Sequence, residues 1–131
     1  MKKLAKFKVI AVIAVLTVMV VSSTGFTGEV DEYDQYLIDR LSDENIGVRS
    51  SAAQLLGDRK VEAAVKPLVK MLKSEECYAC RIIAARALYK IGDEKVLPIL
   101  KKVAAKDKNK TVRRVVTALV MDMEDVTYVK K

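Results

Sequence analysis

The chain has 131 residues, of which 51% are hydrophobic and 31% charged, and its formal net charge is +7 at pH 7. This length fits one small domain, and with only 5 Gly and 2 Pro the chain is neither collagen-like nor low-complexity. There is no His and no Trp. That excludes Ser-His-Asp and Cys-His catalysis, histidine metal sites and histidine proton relays, and it leaves a core of Ala, Val, Leu and Ile that favours closely packed helices.

Lys2, Lys3, Lys6 and Lys8 precede an uncharged, mostly apolar run from Val9 to Val21, which is followed by Ser22, Ser23, Thr24 and Gly25. A basic start, an apolar stretch and small residues make the pattern of a removable export leader over 1–25, cut after Gly25. An uncleaved anchor over 9–21 is the alternative, although so short a helix spans only about 20 Å of a roughly 30 Å hydrocarbon layer. Either way the remainder is expected outside the cytoplasm, periplasmic or secreted, and a membrane enters only through an uncleaved leader. Residues 26–36 then read as an acidic arm, since 29–44 hold seven acids against one Arg.

Beyond the arm the sequence repeats. Val48-Arg49, Cys80-Arg81 and Val112-Arg113 stand 32 residues apart, and an acid lies six residues before each Arg: Asp43, Glu75 and Asp107. After each Arg an apolar stripe recurs at helical spacing: Val48, Ser51, Ala52, Leu55 and Leu56, then Cys80, Ile83, Ala84, Ala87 and Leu88, then Val112, Val115, Val116, Leu119 and Val120. A second helix type lies between these. Leu37-Ile38 with Leu41, Leu68-Val69 with Leu72, and Ile99-Leu100 with Val103 repeat at 31 residues, the last two behind Pro67 and Pro98. The expected order is a half-repeat helix near 31–41, helix pairs near 47–73 and 79–105, and a closing helix near 111–121. Residues 122–131 are left as a C-terminal tail. This is an all-α fold, a short α-solenoid of about three antiparallel hairpins over 37–121. Gly57 and Gly92 are read as turn residues.

At these residues the pattern resembles the HEAT repeats, and among them the short PBS-lyase-like subtype. The likeness rests on Val48-Arg49, Ala52 to Gly57, Val65-Lys66-Pro67-Leu68, Arg81, Ala84 to Leu88, Ile91-Gly92-Asp93, Val96-Leu97-Pro98-Ile99 and Val112-Arg113. Departures are Lys60 where the first copy should carry Gly, one residue missing before Pro98, and Cys80 in place of Val. The resemblance implies that the repeated acid and Arg are structural and that the second helices line the concave face.

Stacked equivalents of Asp43, Glu75 and Asp107 lie within reach of Arg49, Arg81 and Arg113, so a register-fixing ladder is the expected role of these six residues. Lys66, Lys70 and Lys73, with Lys101 and Lys102, fall away from the buried stripe of the second helices. They read either as an ordinary solvated face or as a binding patch for an acidic partner, which the acidic arm itself could cover. Cys77 and Cys80 form Cys-Tyr-Ala-Cys at a helix entrance. In an exported chain a local disulfide is the first reading, a redox-active pair the sharper one, and burial of Cys80 as a small hydrophobe a third. Two thiols are too few for zinc, and Arg81 stands where a c-type haem would need His.

These features point to an exported interaction module or scaffold without catalytic chemistry, metal or cofactor, whose partner is a protein of acidic or mixed surface. A periplasmic thiol-redox protein using Cys77 and Cys80 is the alternative, and a binder of nucleic-acid backbone a lesser one. Nucleic acid is not expected, and the sequence neither requires nor excludes a homo-oligomer.

Overall fold

A computed structural model describes residues 29–129; the expected leader over 1–25 lies outside them. Helix α1 spans Glu32–Arg40. Its cap is Asp31, whose carboxylate accepts the Tyr33 N–H, and Glu32 and Asp34 occupy the first turn with Arg40 in the last. That charge order matches the helix dipole, and it turns the acids of the expected arm into the start of a packed helix. Helix α2 is Ile46–Asp58 and α3 is Val65–Ser74, entered through a 3-10 turn at Glu62–Ala64. Helix α4 is Tyr78–Ile91. Helix α5 is Leu97–Lys106, entered through a 3-10 turn at Glu94–Val96, and α6 is Lys110–Val129. No strand occurs among the described residues.

The helices pair as α1 with α2, α3 with α4 and α5 with α6, and successive hairpins stack through α2 on α4 and α4 on α6. The close pairs thus join a second-type helix to the first-type helix that follows it, rather than the pairing read from sequence. The reason lies in the loops. Within a hairpin only 41–45, 75–77 or 107–109 intervene, whereas the link from each first-type helix to the next spends a whole 3-10 turn changing direction. Leu56, Leu68, Leu72, Leu88, Val96, Leu100, Val112 and Val116 are fully buried and form one continuous core. Helices this short are unstable alone, so that shared core is what holds them.

Four further expectations change. The second step of the second-helix register is 32 residues, not 31: the 3-10 turns, α3 and α5, and Glu75 and Asp107 all repeat at 32, and buried Leu68 corresponds to buried Leu100. No residue is missing; Pro98 sits one place earlier in its helix than Pro67, where an absent N–H is tolerated equally well. Second, the stripe is incomplete in the first copy. Val48 and Leu55 are 37% and 40% exposed, whereas their equivalents Cys80 and Ala87 are each 2%. These positions face the preceding hairpin, and among the described residues the first hairpin has none. Third, Gly57 is not a turn residue. It is buried inside α2, and a Cβ there would stand 2.6 Å from the Ala87 Cα, so the glycine permits the close approach of α2 and α4. The left-handed turn residues are Gly92, at φ 78°, and its equivalent Lys60, at φ 55°. Fourth, the expected tail is helical through Val129. No Gly or Pro stops α6, and Met123 is buried.

Candidate functional site

Each hairpin loop follows one plan. Asn45 caps α2 by accepting from the Gly47 and Val48 N–H groups at 2.8 and 3.3 Å, and Asn109 does the same for Thr111 and Val112 at 2.8 and 3.3 Å. Two residues before each cap an acid accepts the cap's own N–H: Asp43 from Asn45 at 2.9 Å and Asp107 from Asn109 at 2.8 Å. The middle loop carries Glu75 at the acid position and Cys77 at the cap. Acid and cap precede each Arg by six and four residues, so the Arg on the first helical turn leans back over its own loop.

The ladder is directional. Arg49 donates through Nη1 to the Asp43 and Glu44 carbonyls at 2.8 and 3.0 Å and through Nε and Nη2 to the Glu75 carboxylate of the next loop at 2.9 and 3.2 Å. Arg81 repeats this with the Glu75 and Glu76 carbonyls, both at 2.9 Å, and with both Asp107 oxygens at 2.9 Å. Every rung therefore closes a loop onto its helix and locks it to the following hairpin, with a forked geometry that Lys could not reproduce. The ends differ. Asp43 takes Arg40 of α1, at 3.0 Å; Arg113 keeps the bond to its own loop, at 2.6 Å to the Asp107 carbonyl, but no fourth loop among the described residues brings it an acid.

Arg81 is the buried polar residue of the core, 3% exposed. Its guanidinium holds the Asp107 carboxyl below the ordinary carboxylate range, as Arg49 does for Glu75. Asp43 is held low chiefly by the Asn45 N–H and then by Arg40. A second row stands at the other ends of the first-type helices, where Lys90 pairs with Asp58 and the Tyr89 hydroxyl donates to Asp122. The 32-residue spacing of Asp58, Lys90 and Asp122 was the sequence signal for it.

Among the lysines, Lys66, Lys70, Lys73 and Lys102 are exposed and form no ion pair with any described residue. Lys101 instead pairs with Glu124 of α6. With the register set at 32, Lys102 rather than Lys101 is the equivalent of Lys70. Nor does the acidic start of α1 cover these lysines: Asp31 and Asp34 both bind Arg59.

Cys77 and Cys80 are free thiols. The Cys77 sulfur accepts the Cys80 N–H at 3.3 Å, and the buried Cys80 sulfur lies 3.3 Å from Ser50 Oγ of the preceding hairpin. Hydrogen bonding from Cys80 lowers the pKa of the Cys77 thiol, whereas burial raises that of Cys80. No group of His, Cys, Asp and Glu able to hold a metal ion occurs among the described residues, and no helix among them is long and apolar enough to cross a membrane.

No curated protein matches the chain. A family model for HEAT repeats matches residues 35–120, well over half of its length, and that span runs from within α1 to the part of α6 stacked on α4. The three stacked hairpins, with the Arg49, Arg81 and Arg113 row on the first turns of the first-type helices, are thus those of the HEAT repeats, and the chain belongs to that family.

Proposed function

We propose that the chain is a protein-interaction scaffold that works outside the cytoplasm and holds an acidic or mixed protein surface along its second-type helices. The observation that carries this reading is the set Lys66, Lys70, Lys73 and Lys102, exposed on α3 and α5 and without internal counter-ions. Exposed like charges along one helix, continued by Lys102 at the position equivalent to Lys70, raise the local potential and favour an oppositely charged partner. A stacked array also offers an extended surface, and HEAT repeats are interaction modules as a family. The rung residues are already committed to the fold. The partner-facing residues are therefore sought among side chains that the fold does not use, and the lysines meet that condition.

Export rests on the basic and apolar start of the sequence ending at Gly25. Likeness to the PBS-lyase-like subtype is a likeness of the repeat pattern alone and adds no chemistry to the proposal. Cross-linking in the producing cell tests the scaffold reading. The pair Lys70→Glu and Lys102→Glu, with helix content unchanged by circular dichroism, is expected to lose the protein captured by the wild-type chain. Undiminished capture would refute the lysine surface. Fractionation tests export: the extracytoplasmic product should begin at Phe26.

A further inference from the structure

The middle loop departs from its neighbours at two positions, and both departures are cysteines. The cap is Asn45 in the first loop and Asn109 in the third, but Cys77 in the second; the first stripe position of the helix is Val48 and Val112, but Cys80 in α4. A thiol is a weaker hydrogen-bond acceptor than an amide oxygen, so capping does not account for Cys77. Nor does packing account for Cys80, since Val fills its place in α6, where Val112 is fully buried.

Together the two sulfurs have a distinct arrangement. Cys77 is at the N-cap, partly exposed, with its sulfur at the positive end of a helix of 14 residues. Cys80 lies one turn further in, 2% exposed, behind the first sulfur and against Ser50. One thiol is accessible, its thiolate favoured by the Cys80 N–H and the helix end; the other is sheltered and within a turn of it. The same contacts raise the pKa of the Cys80 thiol through burial and lower that of Cys77 through hydrogen bonding.

We propose that Cys77 and Cys80 form a thiol–disulfide exchange site that reduces a disulfide presented by a protein, with Cys77 as the attacking sulfur and Cys80 as the resolving one. This goes beyond the scaffold reading, and either can fail without the other. The Cys77 thiolate attacks one sulfur of the substrate disulfide; that bond breaks, and the departing thiolate takes a proton from solvent. Cys80 then gives up its proton and attacks the Cys77 sulfur, the mixed disulfide breaks, and the second substrate thiol leaves. The substrate gains two electrons and two protons, and the pair is left as a Cys77–Cys80 disulfide, one turnover per reduced chain.

The neighbouring repeats supply variants that the fold already tolerates. Cys77→Asn restores the cap of the other two loops, and Cys80→Val restores their core residue. Each full-length protein, reduced and freed of reductant, is mixed with a synthetic peptide cyclised by a single disulfide, quenched with acid and weighed intact. Wild type is expected to release linear dithiol peptide and to lose two mass units. Cys80→Val should keep the peptide bound through Cys77, and Cys77→Asn should bind at least tenfold less. Rapid adduct formation by Cys77→Asn, or a wild-type chain that retains the peptide as Cys80→Val does, would overturn the assignment. So would the absence of any adduct in Cys80→Val. If Cys80→Val lowers helix content, Cys80→Ala carries the same test.

Discussion

Arg81 is where the stacked architecture is most exposed to a single substitution. Arg81→Met preserves much of the aliphatic bulk but removes four hydrogen bonds, two to the Asp107 carboxylate and two to the Glu75 and Glu76 carbonyls. What remains is a carboxylate with only 9% of its side chain exposed, supported by the Asn109 N–H. Stripping one partner from a buried pair costs about 3–5 kcal/mol, because the survivor keeps its desolvation penalty without compensation. At a urea dependence of about 1.5 kcal/mol per molar, this moves the unfolding midpoint down by roughly 2 M or more. Urea titrations at pH 7 followed by circular dichroism measure it. Asp107→Asn retains the acceptor for Asn109 and discharges the orphan, so it should cost less in the Arg81→Met background than in wild type, with a coupling of about 1–3 kcal/mol. If Arg81→Met is too unstable to fold, Arg81→Lys, which keeps the charge and loses the fork, replaces it in the cycle. A cost for Arg81→Met below about 1 kcal/mol, or strictly additive effects, would refute the reasoning.

Acid should act through the same rungs. Glu75 and Asp107 have folded-state values below the unfolded ones, so their stabilisation is complete above the unfolded carboxylate range near about pH 4 and is lost as pH falls through the folded values. Arg81→Met should flatten that acid limb of stability against pH. Lys60→Gly removes a side chain from a left-handed backbone at φ 55° and should stabilise the fold by about 0.5–1 kcal/mol, a rise of several degrees in melting temperature. Gly57→Ala drives a methyl toward the Ala87 backbone and is expected to cost about 1–3 kcal/mol in the same urea assay.

The first-type helices were legible because three signals coincide in them: an acid, an Arg and an apolar stripe, all at one spacing. The second-type helices were harder to place. Their prolines are the most conspicuous residues in them, yet a proline is tolerated at several positions of a first turn. Pro67 and Pro98 therefore fix the register less well than Leu68 and Leu100, which are both 0% exposed. Both Lys101 and Lys102 were read as candidates, and only the 32-residue register singles out Lys102 as the equivalent of Lys70. Gly57 was misread for a related reason: a glycine next to Asp looks like a turn, and only the distance to Ala87 shows that it is a contact. The exposure of Val48 and Leu55 depends on what stands before the first hairpin, which the periodicity within α2 does not carry. The caps were readable in principle, since Asn45, Cys77 and Asn109 share the 32-residue spacing, but the conspicuous Cys pair drew attention to its own spacing instead.

Side-by-side stacking of α2 and α4 is the central claim, and a cross-link between them tests it most directly. Ser50 Oγ lies 3.3 Å from the Cys80 sulfur. In a chain carrying Ser50→Cys and Cys77→Asn, mild oxidation is expected to join positions 50 and 80 within single molecules, seen as a loss of two mass units and one cross-linked tryptic product. A chain that keeps both thiols, or links them only between molecules, would contradict the stacked arrangement.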